Sequence, residues 1–161
     1  MAPRSHRRIA LLSIHPRHAN AILDGRKTVE LRRTSLPPDV SHVVVYATSP
    51  LQRVLGWFEV GAVERDRPWR LWEEHGSATG IARREFRSYF AGAAQGTAIS
   101  VRRAVALGSP VRLSSVWSSS PPQSFCYLDA SRATGTARSH PYGTQRQDWL
   151  GPPHPVPTWG M

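Results

Sequence analysis

The segment Val43-Val44-Val45-Tyr46-Ala47 constrains the fold of this chain more than any other stretch. A continuous run of β-branched and aromatic residues is typical of a strand that is buried on both faces. Apolar runs of strand length also occupy residues 9–14 and 54–63, and Gly56 in the second run predicts a β-bulge. The sequence therefore predicts a sheet in which residues 43–47 form a central strand.

A first helix is predicted between the strands at 9–14 and 43–47. Pro16 suits the first helical turn, because its missing N–H would have no partner there. Three apolar residues follow at helical spacing, Ala19, Ile22 and Leu23. Gly25 can end this helix in the left-handed conformation, and a strand is predicted from about residue 28 to residue 34.

The middle of the chain carries two further helical patterns, over residues 68–75 and 81–90. In the first pattern Trp69 and Trp72 are three residues apart and are predicted to share a face. Two residues before the second pattern can serve as its N-cap, Ser77 and Thr79.

Three more strands are predicted, at 97–105, 111–116 and 125–128. Short strands interspersed with a few helices predict an α+β fold, here a small β-barrel flanked by helices. The predicted domain spans residues 9–128. A basic flexible leader over 1–8 is predicted before it, and a low-complexity, disordered tail over 129–161 after it.

The charge of the chain favours a polyanionic partner. Of its 21 basic residues 20 are arginine, the formal net charge is +10 and the sequence pI is about 11.3. Nucleic acid is the first candidate, although a coding bias toward arginine explains part of the excess. The predicted tail holds three arginines against two aspartates, so the excess positive charge belongs to the domain.

The single cysteine, Cys126, rules out an internal disulfide and favours a reducing cytoplasm. The N-terminal arginines and the apolar residues 9–12 superficially resemble a signal peptide. The apolar run stops at Ser13, however, and is too short for one. No stretch has the length of a membrane span, so a cytoplasmic protein without a membrane partner is predicted.

Lys27 is the only lysine of the chain. A buried lysine can lose its proton and act as a base or a nucleophile, whereas a guanidinium stays charged. On a regular strand Glu30 and Arg32 share one face, while Val29 and Leu31 point to the other and are expected to fill the barrel. Strict alternation places Lys27 opposite Glu30, but the turn at Gly25 lets it join the polar face. The simpler alternatives are a surface lysine kept by chance and a salt bridge at the barrel rim.

The sequence Gly25-Arg26-Lys27-Thr28-Val29-Glu30-Leu31-Arg32-Arg33 resembles the ASCH family, which shares a PUA-like barrel with RNA-binding domains. Matching segments surround it: Ser13-Ile14-His15-Pro16, residues 44–50, 54–60 and 121–125, so the resemblance covers roughly 9–128. It implies a polar cleft beside the first helix that binds RNA or a nucleoside-like ligand. Lys27, Glu30 and Arg32 match the polar cleft positions of the family.

The candidate ligand contacts are Ser13, His15, Arg26, Lys27, Glu30, Arg32, Arg33, Tyr46 and Ser49. The arginines can meet phosphates, and Tyr46 or Trp57 can stack a base, although core packing is the stronger interpretation for Trp57. His15 and His18 lack a third ligand at a convincing spacing, so neither a metal nor another cofactor is predicted. A solvent-facing histidine pair is expected, with His15 as an alternative cleft residue.

Some relatives resemble amidohydrolases that act on acetylcytidine and others resemble ribonucleases, so a hydrolase is the alternative to a binding protein. Lys27 matches the amidohydrolase lysine, and with Glu30 it is the catalytic candidate. Glu30, however, stands where the resemblance implies a threonine, and residues 76–80 offer no glutamate. A regulatory domain whose cleft has decayed is the third alternative.

Overall fold

The computed structural model describes residues 7–128. The predicted tail lies outside these residues, and so does the predicted leader except for Arg7 and Arg8. Arg8 already belongs to the first strand, where its guanidinium donates to the Asp39 carboxylate at 2.6 and 2.7 Å. The leader and the tail therefore stay predictions.

Six strands form one sheet: β1 Arg8–Ile14, β2 Val29–Arg32, β3 Val40–Ala47, β4 Arg53–Asp66, β5 Gly96–Val111 and β6 Phe125–Leu128. Their order in the sheet is β2-β5-β4-β3-β1-β6. β1 and β3 are parallel, and the other neighbours are antiparallel. Residues 43–47 lie in β3 between β1 and β4, as the unbroken apolar run predicts.

The α+β class is confirmed, but the prediction of a closed barrel is wrong. β2 and β6 are the two edges of the sheet, and they do not pair with each other. The outer edge of β1 is already occupied by β6, so it cannot form a ladder with β2. Side chains bridge the gap instead: Arg32 Nη2 donates to the Ser13 carbonyl at 2.9 Å, and the Thr34 and Ser124 hydroxyls are 3.1 Å apart.

The long strands β4 and β5 remain continuous because bulges absorb their bends. The bulge predicted at Gly56 is present beside it: Val45 and Tyr46 of β3 pair with Gly56 and Val54, so Leu55 is the extra residue of β4. The prediction of two separate strands at 97–105 and 111–116 is wrong. β5 runs unbroken to Val111, and Leu113–Ser115 form a short 3-10 helix. Residues 108–110 have turn-like composition, but they extend β5 at an exposed end.

Three helices cover the sheet: α1 Pro16–Leu23, α2 Pro68–His75 and α3 Arg83–Tyr89. α1 ends as predicted, with Gly25 at φ +80°. The predicted α3 caps are wrong: Ala82 is the N-cap, and its N–H donates to the Glu85 carboxylate at 3.2 Å. Trp69 and Trp72 share a face of α2 as predicted, since both line the cavity between α2 and α3, although the buried residue of α2 is Leu71 and Trp69 is 53% exposed.

The core lies on both faces of the sheet. Beneath α2 and α3, Val29 and Leu31 pack against Leu71, Phe86, Phe90 and Ala98 rather than filling a barrel. A cluster on α1 contains Leu12, Ile22, Val43, Val45 and Phe58. A separate cluster contains Leu11, Val44, Tyr46, Val54 and Trp57. Both faces of β3 are therefore covered, while the polar face of β2 is left to the site.

Candidate ligand-binding cleft

The connection between α1 and β2 buries Lys27. After the turn at Gly25, the Lys27 N–H donates to the Ala21 carbonyl at 2.8 Å. The next residue, Thr28, donates its N–H to the Ala78 carbonyl at 3.0 Å, which fixes the segment after α2 against this connection. Lys27 is 2% exposed, so the interpretation as a surface lysine is wrong.

The Lys27 ammonium is held by two oxygen acceptors. It donates to the Thr79 carbonyl at 2.6 Å and lies 3.4 Å from Glu30 Oε2. Burial lowers the pKa of Lys27, and the Glu30 carboxylate only partly opposes that shift. An ammonium has three donors, so one remains for a ligand.

Glu30 is the single carboxylate between two largely buried cations. Its other oxygen, Oε1, lies 3.2 Å from Arg32 Nη2, and the side chains of Glu30 and Arg32 are 7% and 11% exposed. The Arg32 Nε–H is buried and has no acceptor among the described residues. Lys27, Glu30 and Arg32 therefore converge as predicted. The contact between Lys27 and Glu30 is also the salt bridge expected from the sequence as a simpler alternative.

These three residues line an open cleft of about 620 Å³, which we call the lysine cleft. Its other lining residues come from the end of β1, from α1 and β2, and from the α3 region: Ser13, Ile14, His15, Arg17, His18, Leu31, Ile81, Glu85 and Tyr89. The volume falls within the range of small-molecule sites. Apart from its two histidines, the lining carries three positive and two negative charges.

The rim of the lysine cleft joins α1 to α3. Arg17 forms an ion pair with Glu85. The Nδ1 atom of His15 accepts from the Arg17 N–H at 3.2 Å, so His15 caps α1. Burial lowers the pKa of His18, the Lys27 charge lowers it further and the Glu30 charge opposes the shift, so the cleft favours the neutral imidazole.

Five of the nine predicted contacts line the lysine cleft: Ser13, His15, Lys27, Glu30 and Arg32. The other four do not. Tyr46 is only 3% exposed in the cluster with Trp57, so neither ring is placed to stack a base in the cleft. Ser49 lies exposed in the turn after β3, Arg26 pairs with Asp24, and Arg33 is exposed with a 3.5 Å contact to the Tyr89 carbonyl.

Sequence reasoning missed the cleft residues of α3 and part of those of α1. His18 lies one turn after His15, and this spacing could have identified it as a second cleft residue. Glu85 and Tyr89 had no comparable signal, because they reach the cleft only through tertiary packing. Cys126 is half-buried, and burial raises the pKa of its thiol, which disfavours a nucleophilic role.

A group of potential metal ligands lies outside the lysine cleft. Oxygen or nitrogen atoms of Glu64, Glu74 and His75 lie within 4.8 Å of one another. His75 Nε2 is 2.9 Å from Glu64 Oε2, so a simple hydrogen bond accounts for the contact between these two residues.

Residues 12–105, more than half of the chain, match the family model of the ASCH domain. The chain belongs to the ASCH family. An ASCH domain-containing ribonuclease of Zymomonas mobilis is 34% identical over 97 residues, which are 60% of this chain and 66% of that protein. A large ribosomal subunit protein uL22 of Ureaplasma parvum is 28% identical over 119 residues, which are 73% of this chain and 38% of that protein. The ASCH chain thus spans less than two thirds of either curated relative.

The fold of this ASCH protein is that of a solved relative. The crystal structure of ASCH from Zymomonas mobilis superposes with a TM-score of 0.73 at 30% identity, covering 80% of this chain and 92% of that chain. Among residues 7–128, no helix is both long and apolar enough to cross a membrane.

Proposed function

We propose that this chain binds single-stranded RNA, or a nucleoside-like part of it, in the lysine cleft. The observation that carries the proposal is the chain of charges formed by Lys27, Glu30 and Arg32 at the wall of an open cleft. Burying two cations around one carboxylate is costly, and titratable groups that lie in a cleft with a pKa perturbed by burial and by a specific charge partner are candidates for a functional site.

The unused donors of this network suit an RNA ligand. One Lys27 donor and the Arg32 Nε–H are not taken up by acceptors among the described residues. Phosphate, ribose hydroxyl and base-edge oxygens are acceptors that such donors can meet. The net charge of +10 adds a long-range attraction to a polyanion. An intact network of this kind also argues against a decayed cleft.

Fluorescence anisotropy with a labelled single-stranded oligoribonucleotide tests the proposal. We expect binding that weakens steeply with salt, and a weaker complex with the duplex of the same sequence, whose bases are stacked away from the cleft. Lys27→Met should weaken binding by roughly ten- to hundredfold, the value of a charge-assisted hydrogen bond.

The matched control is Arg112→Gln, which removes an exposed charge outside the lysine cleft. It should lower affinity only slightly and equally for single-stranded and duplex RNA. Absence of binding at low salt, a flat salt dependence, or equal effects of Lys27→Met and Arg112→Gln would each remove RNA as the ligand of the cleft.

RNA hydrolysis is the second candidate function, and a specific observation favours it. The neutral His18 imidazole lies beside His15, with ring centroids 6.1 Å apart, in the same cleft as three cations. A neutral imidazole can take the proton of a 2′-hydroxyl, whose oxygen then bonds to the adjacent phosphorus as the P–O5′ bond breaks and the leaving 5′-oxygen takes a proton from water. Cations can stabilise the phosphorane-like transition state of this step. The relative from Zymomonas mobilis that is named a ribonuclease shares this family.

The same oligonucleotide distinguishes binding from hydrolysis when its integrity is followed by gel electrophoresis. Cleavage by the wild type that His18→Ala abolishes, with affinity retained, would establish the hydrolase. Intact RNA at saturating protein would support binding alone. Acetylcytidine hydrolysis has less support, because both carboxylates that line the cleft are already paired with cations. Glu30 contacts Lys27 and Arg32, and Glu85 contacts Arg17.

A further inference from the structure

A second cavity of about 360 Å³ lies between α2 and α3, and we call it the α2–α3 groove. Aromatic rings and arginines form most of its surface: Trp69, Trp72, Phe86, Phe90, Arg83 and Arg87. The inner rings pack against one another, with 5.0 Å between the Trp72 and Phe86 centroids and 4.7 Å between those of Phe86 and Phe90. Trp69 is left at the rim, and at 53% it is more exposed than any other large apolar side chain described.

The three arginines of α3 have no counterion among residues 7–128. Arg83, Arg84 and Arg87 are exposed, and within residues 7–128 none of them forms an ion pair or a side-chain hydrogen bond. Glu85 on the same helix is taken up by Arg17. One carboxylate, Glu73, also lines the groove, so its net charge is +1. Exposed arginines beside an exposed indole are the elements that single-stranded nucleic acid binds, through phosphates and stacked bases.

α3 is the ridge between the two cavities. Glu85 and Tyr89 face the lysine cleft, whereas Arg83, Phe86 and Arg87 face the α2–α3 groove. A helix with its side chains is about 10–12 Å across, a distance that a short oligonucleotide spans. A strand that enters the lysine cleft can therefore cross α3 and reach the groove without any change in the fold.

We propose that the α2–α3 groove is a second subsite for single-stranded RNA, in which a base stacks on Trp69 and the arginines of α3 hold the adjoining phosphates. This inference rests on the proposed function, since the same strand places another nucleotide in the lysine cleft. The groove adds affinity for oligonucleotides, and it adds nothing for a mononucleotide that fills only the cleft.

Two groove variants test the subsite, Trp69→Ala and the double variant Arg83→Gln/Arg87→Gln. Affinity for a single-stranded oligoribonucleotide should fall roughly 5- to 150-fold with Trp69→Ala, the effect of removing one stacked base. The double variant should reduce the salt slope by about 1.4, because it removes two phosphate contacts. Trp69→Phe should recover most of the affinity. Binding of a mononucleotide should be the same for all of these proteins.

The charge-matched control is Arg53→Gln/Arg112→Gln, at the opposite end of β4 from α2 and outside both cavities. If it changes affinity and salt slope as much as the groove pair does, binding is non-specific and the subsite is refuted. If the oligonucleotide binds in a Lys27-dependent manner but Trp69→Ala has no effect, the subsite alone is refuted. If the wild type binds no oligonucleotide, both proposals fail. A change in oligomeric state with Trp69→Ala, seen by sedimentation, would assign the groove to a second copy of the chain instead.

Discussion

Replacing Glu30 by glutamine should destabilise the protein far more than the same replacement of Glu85 in the same cleft. Within residues 7–128 Glu30 is the only carboxylate in contact with Lys27 and Arg32, at 3.4 and 3.2 Å, and both cations are about nine-tenths buried or more. Removing the negative charge leaves two neighbouring buried cations without a counterion. Breaking a buried ion pair in this way costs about 3–5 kcal/mol of unfolding free energy.

The matched variant, Glu85→Gln, also loses one arginine partner, but there the two side chains are 59% and 44% exposed. Water replaces the lost contact, so the effect on stability should be small. Urea denaturation followed by tryptophan fluorescence measures both variants, since the chain has six tryptophans. In thermal melts a loss of 3–5 kcal/mol corresponds to roughly 10–20 °C for a domain of this size.

Adding Lys27→Met to Glu30→Gln removes one of the two cations that are left without a counterion. The double variant should therefore lose less than the sum of the single variants, by about 1–3 kcal/mol of coupling. If Glu30→Gln costs no more than Glu85→Gln, or if the two substitutions in the double variant are additive, the carboxylate is not the counterion of this network and the electrostatic account of the cleft is wrong.

Two further predictions concern pH and packing. Burial lowers the pKa of Lys27 in the folded protein, so at pH values between that pKa and the usual lysine pKa the unfolded chain binds more protons than the folded one. The unfolding free energy of the wild type, relative to that of Lys27→Met, should therefore rise with pH through this window. A difference between the two proteins that stays constant with pH in urea denaturation would contradict this prediction. Gly56→Ala should lower the unfolding free energy by about 1–3 kcal/mol, because the new Cβ would lie 2.3 Å from the Val105 carbonyl oxygen. Gly108→Ala is the control, since a Cβ there would have nothing within 4 Å and should not change stability. Equal melting temperatures of the two variants would show that the bulge accommodates a side chain.

The sequence predicted the strands and the helix that carry the site, because local patterns determine them. The apolar run of β3, Pro16 at the start of α1 and Gly25 after its end all act within a few residues. The strand alternation also placed Glu30 and Arg32 on one face. Closure of the sheet was predicted wrongly because it depends on whether β6 or β2 pairs with the outer edge of β1, and no local pattern decides between these partners.

The candidate site was predicted where one segment supplies it and missed where distant segments meet. Lys27, Glu30 and Arg32 are close in sequence, so a single motif reveals them. Tyr46 was assigned to the ligand because an aromatic ring can stack a base, yet its position on β3 directs it into the core. Glu85 reaches the rim of the lysine cleft, where it pairs with Arg17 of α1, a contact between residues separated by 68 positions.

The presence of lysine at position 27, in a chain with 20 arginines, follows from the acceptors around it. A guanidinium has five N–H donors in a rigid plane, whereas an ammonium has three and is compact. In the described part of the chain, the Thr79 carbonyl and one Glu30 oxygen are the acceptors that contact the Lys27 ammonium, and a Cβ at Gly80 would already lie 3.4 Å from the Lys27 side chain. A guanidinium there would crowd the segment after α2 and leave most of its donors buried without acceptors. Lysine satisfies both acceptors with two of its three donors, so the basic residue that this buried position accommodates is also the one that leaves a donor for the proposed ligand.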